Sequence, residues 1–260
     1  MVHTVTRTTD RDEIRRRLQA DRVWSIYALA DLDAELFPHC EWWICGDGGL
    51  ALQFGGISIL PIFVMGSAGE VRRLLEELPA ERGYLNLRDE HFSAAEGLYQ
   101  YEAPHRMRRM VVESLRPRVG AQTVALSLAD ADEVRALYAT GDGGGVAFGP
   151  FQLTTAFFRG VRIHGELVAV AGVHVVSRAE GVAGVGNVFT RPDWRGHGLA
   201  QITTSAVVAA LIDAGITTIG LNVEVGNDAA IAAYERLGFR VAFEYWEGTA
   251  TRVDRAKRLG

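Results

Sequence analysis

The chain has 260 residues, enough for one large domain or two of ordinary size, and 48% of them are hydrophobic against 23% charged. That balance excludes a disordered chain and supplies a sizeable core. A formal net charge of -5, with Lys257 the single lysine among many arginines, argues against sequence-independent nucleic-acid binding, which needs a dense basic surface.

In chain order, the first part reads as mixed α/β. Thr9 or Asp10 N-caps a helical run through DEIRRRL and on toward Glu35. EWWICGDGGLALQF (41–54) and GISILPIFVMG (56–66) read as strands separated by glycine turns. AGEVRRLLEELPAERG (68–83) is an amphipathic helix stopped by Pro79. GYLNLR (83–88) is a short strand, HFSAAEGLYQ (91–100) a short helix and HRMRRMVVES (105–114) a strand. LRPRVGAQ (115–122), with Pro117 and Gly120, reads as a linker, so a boundary near residue 118 divides 1–118 from 119–260.

The second part restarts the pattern. Ser127 or Asp130 caps a helix reaching Gly141, and a glycine-rich loop spans Gly141–Pro150. FQLTTAFFRG (151–160) is a short helix or turn. VRIHG and ELVAVAGVHVVSR form a hairpin around Gly165, and GVAGVGNVFT (181–190) is a further strand. LAQITTSAVVAALIDAG (199–215) is an apolar helix, ITTIGLNVEV (216–225) a buried strand, NDAAIAAYERLG (227–238) a helix and FRVAFEYWEG (239–248) the last strand. The two halves share an element order loosely, with no residue-level repeat.

Cys40 and Cys45 make neither a disulfide framework nor a zinc site; both read as small buried residues beside Trp42 and Trp43, and no metal is expected. The N-terminal segment lacks the apolar core of a signal peptide, and no apolar run reaches the roughly 18 residues of a membrane span, so a cytoplasmic protein without a membrane partner is expected.

The chemistry concentrates in RPDWRGHGLA (191–200). Pro192 ends the preceding strand because it has no N–H for a ladder. Gly196 and Gly198 let the backbone bend and a ligand approach. The helix that follows leaves its first N–H groups unpaired, and its dipole adds about half a positive charge there. The sum is an anion cradle; a turn that merely lets the helix pack is the alternative. Neither GxGxxG spacing nor a P-loop is present.

On these residues the sequence resembles the GCN5-related N-acetyltransferase (GNAT) superfamily. Arg195-Gly196-His197-Gly198-Leu199-Ala200 is similar to the family's Arg/Gln-x-x-Gly-x-Gly/Ala motif, whose main-chain N–H groups bind the pyrophosphate of acetyl-CoA. The resemblance implies that Val188, Phe189 and Thr190, on a strand like the family's fourth, line the acetyl and pantetheine site. Leu221–Phe239 resembles the family's closing strand–helix unit. There Asn227 is a fitting N-cap, and Ala230 and Tyr234 share its helix face. By resemblance Asn227 contacts the pantetheine arm and Tyr234 protonates the departing thiolate, although a packing tyrosine is the plainer alternative. The resemblance covers residues 119–260. Within the superfamily it looks most like the FR47-like, glycine N-acyltransferase-like branch, with residues 1–118 as a degenerate GNAT-like half. The implied fold is α/β (α+β): a mixed, mostly antiparallel sheet flanked by helices.

The implied reaction is direct acetyl transfer from acetyl-CoA to the amine of a small molecule or amino acid. A phenol near pKa 10 serves as acid without tuning. The family often places a carboxylate on the fourth strand as base; GVAGVGNVFT has none. His174 on the preceding strand is the substitute, with Glu224 and His164 behind it. The 141–150 loop lies where the family places a substrate lid, and Phe148, Phe151 and Phe158 line an acceptor pocket or pack the core. No nucleic-acid partner is expected, and a homodimer is compatible with the sequence. An acyl-CoA-binding sensor without turnover and a nucleotide-binding α/β protein of another fold are the competing readings.

Overall fold

A computed structural model describes residues 4–141 and 148–254. The chain forms two compact units: 1–108 together with 243–260, and 109–242. The polypeptide therefore leaves the first unit somewhat before the linker at 118, and it returns inside its last strand.

In the first unit, β1 (Val5–Thr8) leads to α1 (Arg11–Leu18) and α2 (Ile26–Ala30). Asp10 is the cap of α1; its carboxylate accepts from the N–H groups of Asp12 and Glu13 at 3.0 and 3.1 Å. The long helical run expected here breaks into 3-10 and turn residues between α1 and α2. β2 (Cys40–Cys45) and β3 (Gly49–Phe54) pair antiparallel from Cys40↔Phe54 to Cys45↔Gly49. The buried Arg17 fixes their turn by donating to the carbonyls of Gly46 and Gly49, each at 2.8 Å. Cys45 is buried, whereas Cys40 is half-exposed and its thiol donates to Leu36 O at 3.4 Å.

The strand expected over 56–66 forms only as β4 (Pro61–Met65). α3 (Ala68–Glu77) starts in a capping box of Ser67 and Glu70 and stops before Pro79. β5 (Arg82–Arg88), α4 (Phe92–Ala95), β6 (Tyr99–Tyr101) and β7 (His105–Val112) follow. Strand order is β1-β2-β3-β4-β5, with only β4–β5 parallel. The face of Trp43, Ala51, Ile62, Val64 and Leu85 packs on Val71, Leu74 and Leu75 of α3.

The second unit opens with β8 (Thr123–Leu126), a strand the sequence reading does not anticipate. α5 (Ala131–Tyr138) follows a 3-10 turn held by Ser127 and Asp130. Pro150–Thr155 is 3-10, and Phe158 already belongs to β9 (Phe158–Ile163). β9 and β10 (Glu166–Ser177) form the expected hairpin, its tip His164–Gly165 with φ of 51° and 88°. β11 (Val182–Thr190), α6 (Leu199–Asp213), β12 (Thr218–Glu224), α7 (Asp228–Arg236) and β13 (Phe239–Arg252) complete the chain, β13 ending in the first unit.

Strand order in this unit is β12-β11-β10-β9-β8, antiparallel except β11–β12. The sheet is mixed, mostly antiparallel, open and flanked by helices, as the sequence implies. Its core joins Val134, Leu137 and Tyr138 of α5, Val207, Val208 and Leu211 of α6, and Ile231 and Tyr234 of α7 to the strands. Gly238 ends α7 at φ 94°, where a Cβ would overlap the Ser114 carbonyl, so only glycine serves. Among the described residues no helix is long and apolar enough to cross a membrane.

Candidate active site

Two irregularities of the second unit create the site. First, the parallel ladder of β11 and β12 runs from Val182↔Thr218 to Val185↔Leu221 and stops, although β11 continues to Thr190 and β12 to Glu224. Beyond that point the two strands no longer pair with each other. Second, β11 is bulged against β10: Val170 faces Phe189 and Gly172 faces Gly186, so Asn187 and Val188 stand opposite Ala171 alone. Asn187 takes φ 54°, a conformation Asn tolerates better than most side chains. A second irregularity in the β10–β11 register falls at His174.

Arg191–Ala200 forms the expected turn. A 3-10 segment at Pro192–Trp194 leads to Gly196 and Gly198, with φ of 81° and 75°. Gly198 occupies the N-cap position of α6, and among the described residues no side chain bonds the helix's first N–H groups, an arrangement suited to an anion. His197 folds its ring back, Nδ1 lying 3.0 Å from Arg195 O, so its side chain stays with the turn. The exposed Arg195 reaches Thr190 O with Nε at 3.4 Å and lies over the Phe189 ring. A cation that the motif does not include stands nearby. Arg118 Nη2 lies 3.9 Å from where a Cβ on Gly198 would sit, and the Arg118 N–H donates to Ser205 Oγ at 2.9 Å. Leu199 turns inward, packing with Val161, Val168, Ala169 and Ile202, while Ala200 stays partly accessible.

The other sequence-expected residues lie on α7 and β11. Asn227 caps α7, its Oδ1 accepting from the Ala230 N–H at 3.1 Å. Tyr234 is buried against Phe239, and burial pushes its phenol pKa up to about 12. Val188 and Ala230 pack against the same large core cluster to which Tyr234 belongs. The Phe189 ring goes into that core, edge-on to Tyr138 at 5.5 Å, so only its backbone lines the opening. The Thr190 hydroxyl is buried without a hydrogen-bond partner among the described residues, a group a bound molecule would satisfy.

His174 departs from its expected part. Its ring lies over Gly186, where any side chain would collide with it. It keeps some solvent access, but surrounding protein displaces enough water to push its pKa down to about 4. It is therefore neutral at pH 7 and a weak proton acceptor. His164 occupies the hairpin tip, and Glu224 is exposed at the end of β12.

The depressed His174 pKa has a consequence for folding. The unfolded chain binds a proton near pH 6.5, whereas the folded chain waits until about pH 4. Stability is therefore retained above pH 6.5 and falls as pH drops through that window, by up to about 3 kcal/mol. Urea midpoints measured at pH 7 and pH 4.5 should differ less in His174→Gln than in the parent; an equal difference rules the assignment out.

Of the aromatic candidates, Phe158 is fully buried core, Phe148 packs on Tyr138 and Phe158 at 5.4 and 5.9 Å, and Phe151 is 65% exposed. The core role thus takes Phe148 and Phe158. Residues 142–147 of the expected lid lie outside the described residues. No group of three or more metal-ligating side chains occurs among the described residues.

Residues 132–239 match the model of the acetyltransferase (GNAT) family. A 93-residue segment is 36% identical to a mycothiol acetyltransferase of Corynebacterium aurimucosum, covering 35% of this chain and 27% of that relative's length. The solved GCN5-related N-acetyltransferase of Kribbella flavida is similar at a TM-score of 0.60 and 18% identity, over 90% of this chain and 95% of that one. A Drosophila protein reaches a TM-score of 0.67 at 14% identity, over 96% and 98%. The family model thus matches the segment from 132 to 239, less than half of the chain, and the solved structures share the fold.

Proposed function

We propose that this chain transfers the acetyl group of acetyl-CoA directly to the amine of a small molecule or amino acid. The observation that carries the reading is the uncapped start of α6, with left-handed glycines at 196 and 198, beside strands that part after Val185 and Leu221. The residues fit a diphosphate with a long arm. The α6 N–H groups and the Arg118 guanidinium hold the anion, the parted ends of β11 and β12 flank the arm, and the Thr190 hydroxyl gains a partner.

In the transfer, a C–N bond forms as the amine attacks the thioester carbonyl, and the C–S bond breaks. A main-chain N–H at the bulge, Val188 foremost, supports the developing oxyanion. The Tyr234 O–H donates to the departing sulfur, and its raised pKa keeps that proton in place across the working pH range. The nitrogen loses its proton to water, because β11 carries no carboxylate and His174 is a weak acceptor.

The curated relative is named for mycothiol, which supports a small-molecule acceptor. We further read residues 1–118 as a degenerate GNAT-like half of the FR47-like, glycine N-acyltransferase-like kind. They contain no Arg-x-x-Gly-x-Gly turn. The same reading makes the protein cytoplasmic, free of nucleic-acid and membrane partners, and compatible with a homodimer. The missing β11 carboxylate favours one second reading, an acyl-CoA sensor without turnover. Thiol release from acetyl-CoA, screened against amino acids, polyamines and aminoglycosides, separates the two. Release with at least one amine supports the enzyme; saturable binding with no release across the panel supports the sensor.

A further inference from the structure

The bulge at Asn187–Val188 is held by the Tyr138 hydroxyl, the Gln152 amide and the Val173 carbonyl, and core packing does not account for these polar bonds. Tyr138, buried on α5, donates its hydroxyl to Asn187 O at 2.8 Å. The Asn187 amide donates to Gln152 Oε1 at 3.0 Å and to Val173 O at 3.3 Å. Gln152, itself buried, donates from Nε2 to His174 O at 3.3 Å and accepts the Gly149 N–H at 3.0 Å. A left-handed non-glycine residue in a strand is strained and persists only where its surroundings over-determine it.

We infer that Tyr138 and Gln152 are positioning residues that lock the β11 bulge and so aim the Val188 N–H at the thioester carbonyl. The inference rests on the acetyl-transfer reading. Tyr138 fixes the carbonyl on the N-terminal side of the Asn187–Val188 peptide. Because that peptide is planar, fixing its carbonyl also fixes the direction of the Val188 N–H. Gln152 ties the Asn187 side chain to the His174 carbonyl of β10 at the second register shift, beside the Val173 carbonyl that Asn187 bonds itself, and this stops the bulge sliding along the strand. Both residues act through Asn187 and touch no reacting atom.

Tyr138→Phe tests this, since it keeps the buried ring and removes only the hydroxyl. With an amine accepted by the parent, kcat should fall about tenfold while KM for acetyl-CoA stays within about twofold, the range typical of outer-shell partners. The carbonyl ¹³C resonance of bound [1-¹³C]acetyl-CoA should move back toward its free position, because that signal reads the hydrogen bond at the oxygen. Gln152→Glu, which keeps the acceptor for Asn187 and Gly149 but loses the donor to His174 O, should lie between the parent and Tyr138→Phe. A parent-like kcat and carbonyl resonance in Tyr138→Phe overturns the inference, as does a loss that tracks melting temperature alone. If the parent itself gives no turnover and no carbonyl shift on binding, the acetyl-transfer reading fails and the positioning role falls with it. If the parent shows both and the variants match it, only the positioning role falls.

Discussion

Gly198→Glu is expected to lower the affinity for acetyl-CoA by at least about a hundredfold, close to 3 kcal/mol. Two effects combine. The backbone at Gly198 sits at φ 75°, where a side chain adds about 1 kcal/mol of strain. A carboxylate at the uncapped start of α6 then occupies the N–H groups and repels the diphosphate meant for them. Gly198→Ala separates these contributions. It carries the strain without charge or reach, and should lose only a few-fold in affinity. Calorimetric titration with acetyl-CoA at low salt and at about 0.5 M salt reads both variants, and salt should recover part of the Glu loss by screening, as for any charge near a surface. Matching affinities for the parent and Gly198→Glu would remove the anion cradle from the site.

The second large effect belongs to Tyr234. Tyr234→Phe should slow kcat by about a hundredfold, the lower range for loss of a positioned general acid, and leave acetyl-CoA affinity within a few-fold. Folding should survive, because the ring keeps its packing on Phe239 and in the α7 core. The pH profile adds a stricter check. With the phenol held at about 12, the parent's rate should show no alkaline decline from this group below about pH 11. An alkaline limb near pH 9 that vanishes in Tyr234→Phe contradicts the burial described for Tyr234. Equal kcat in the two proteins removes the acid role.

Local chemistry made much of this legible in advance. Asp10, Ser67 and Asn227 cap helices because their short polar side chains reach N–H groups two or three residues on, and that requires nothing from the rest of the fold. Gly196, Gly198 and Gly238 mark left-handed backbone for the same local reason. What stayed hidden depends on distant partners. The β11 bulge is suggested by Asn187 inside GVGNVFT, a weak strand former next to glycine, but its lock comes from Tyr138 and Gln152, far away in sequence. His174 reads as a base at pKa 6.5, and only the surrounding protein depresses it. Arg118 lies in what reads as a linker, yet it reaches the α6 turn. β8 is too short and too plain, TVAL, to stand out from its flanks.

The return of β13 to the first unit bears on how the protein is made. Residues 109–242 form a unit from one contiguous stretch of chain. The earlier unit must wait longer, because β5 pairs with the far end of the chain: Arg88 lies opposite Tyr245 and Arg82 opposite Thr251. Translation order and completion order are thus inverted, and during the interval one β5 edge stands open to any other extended chain.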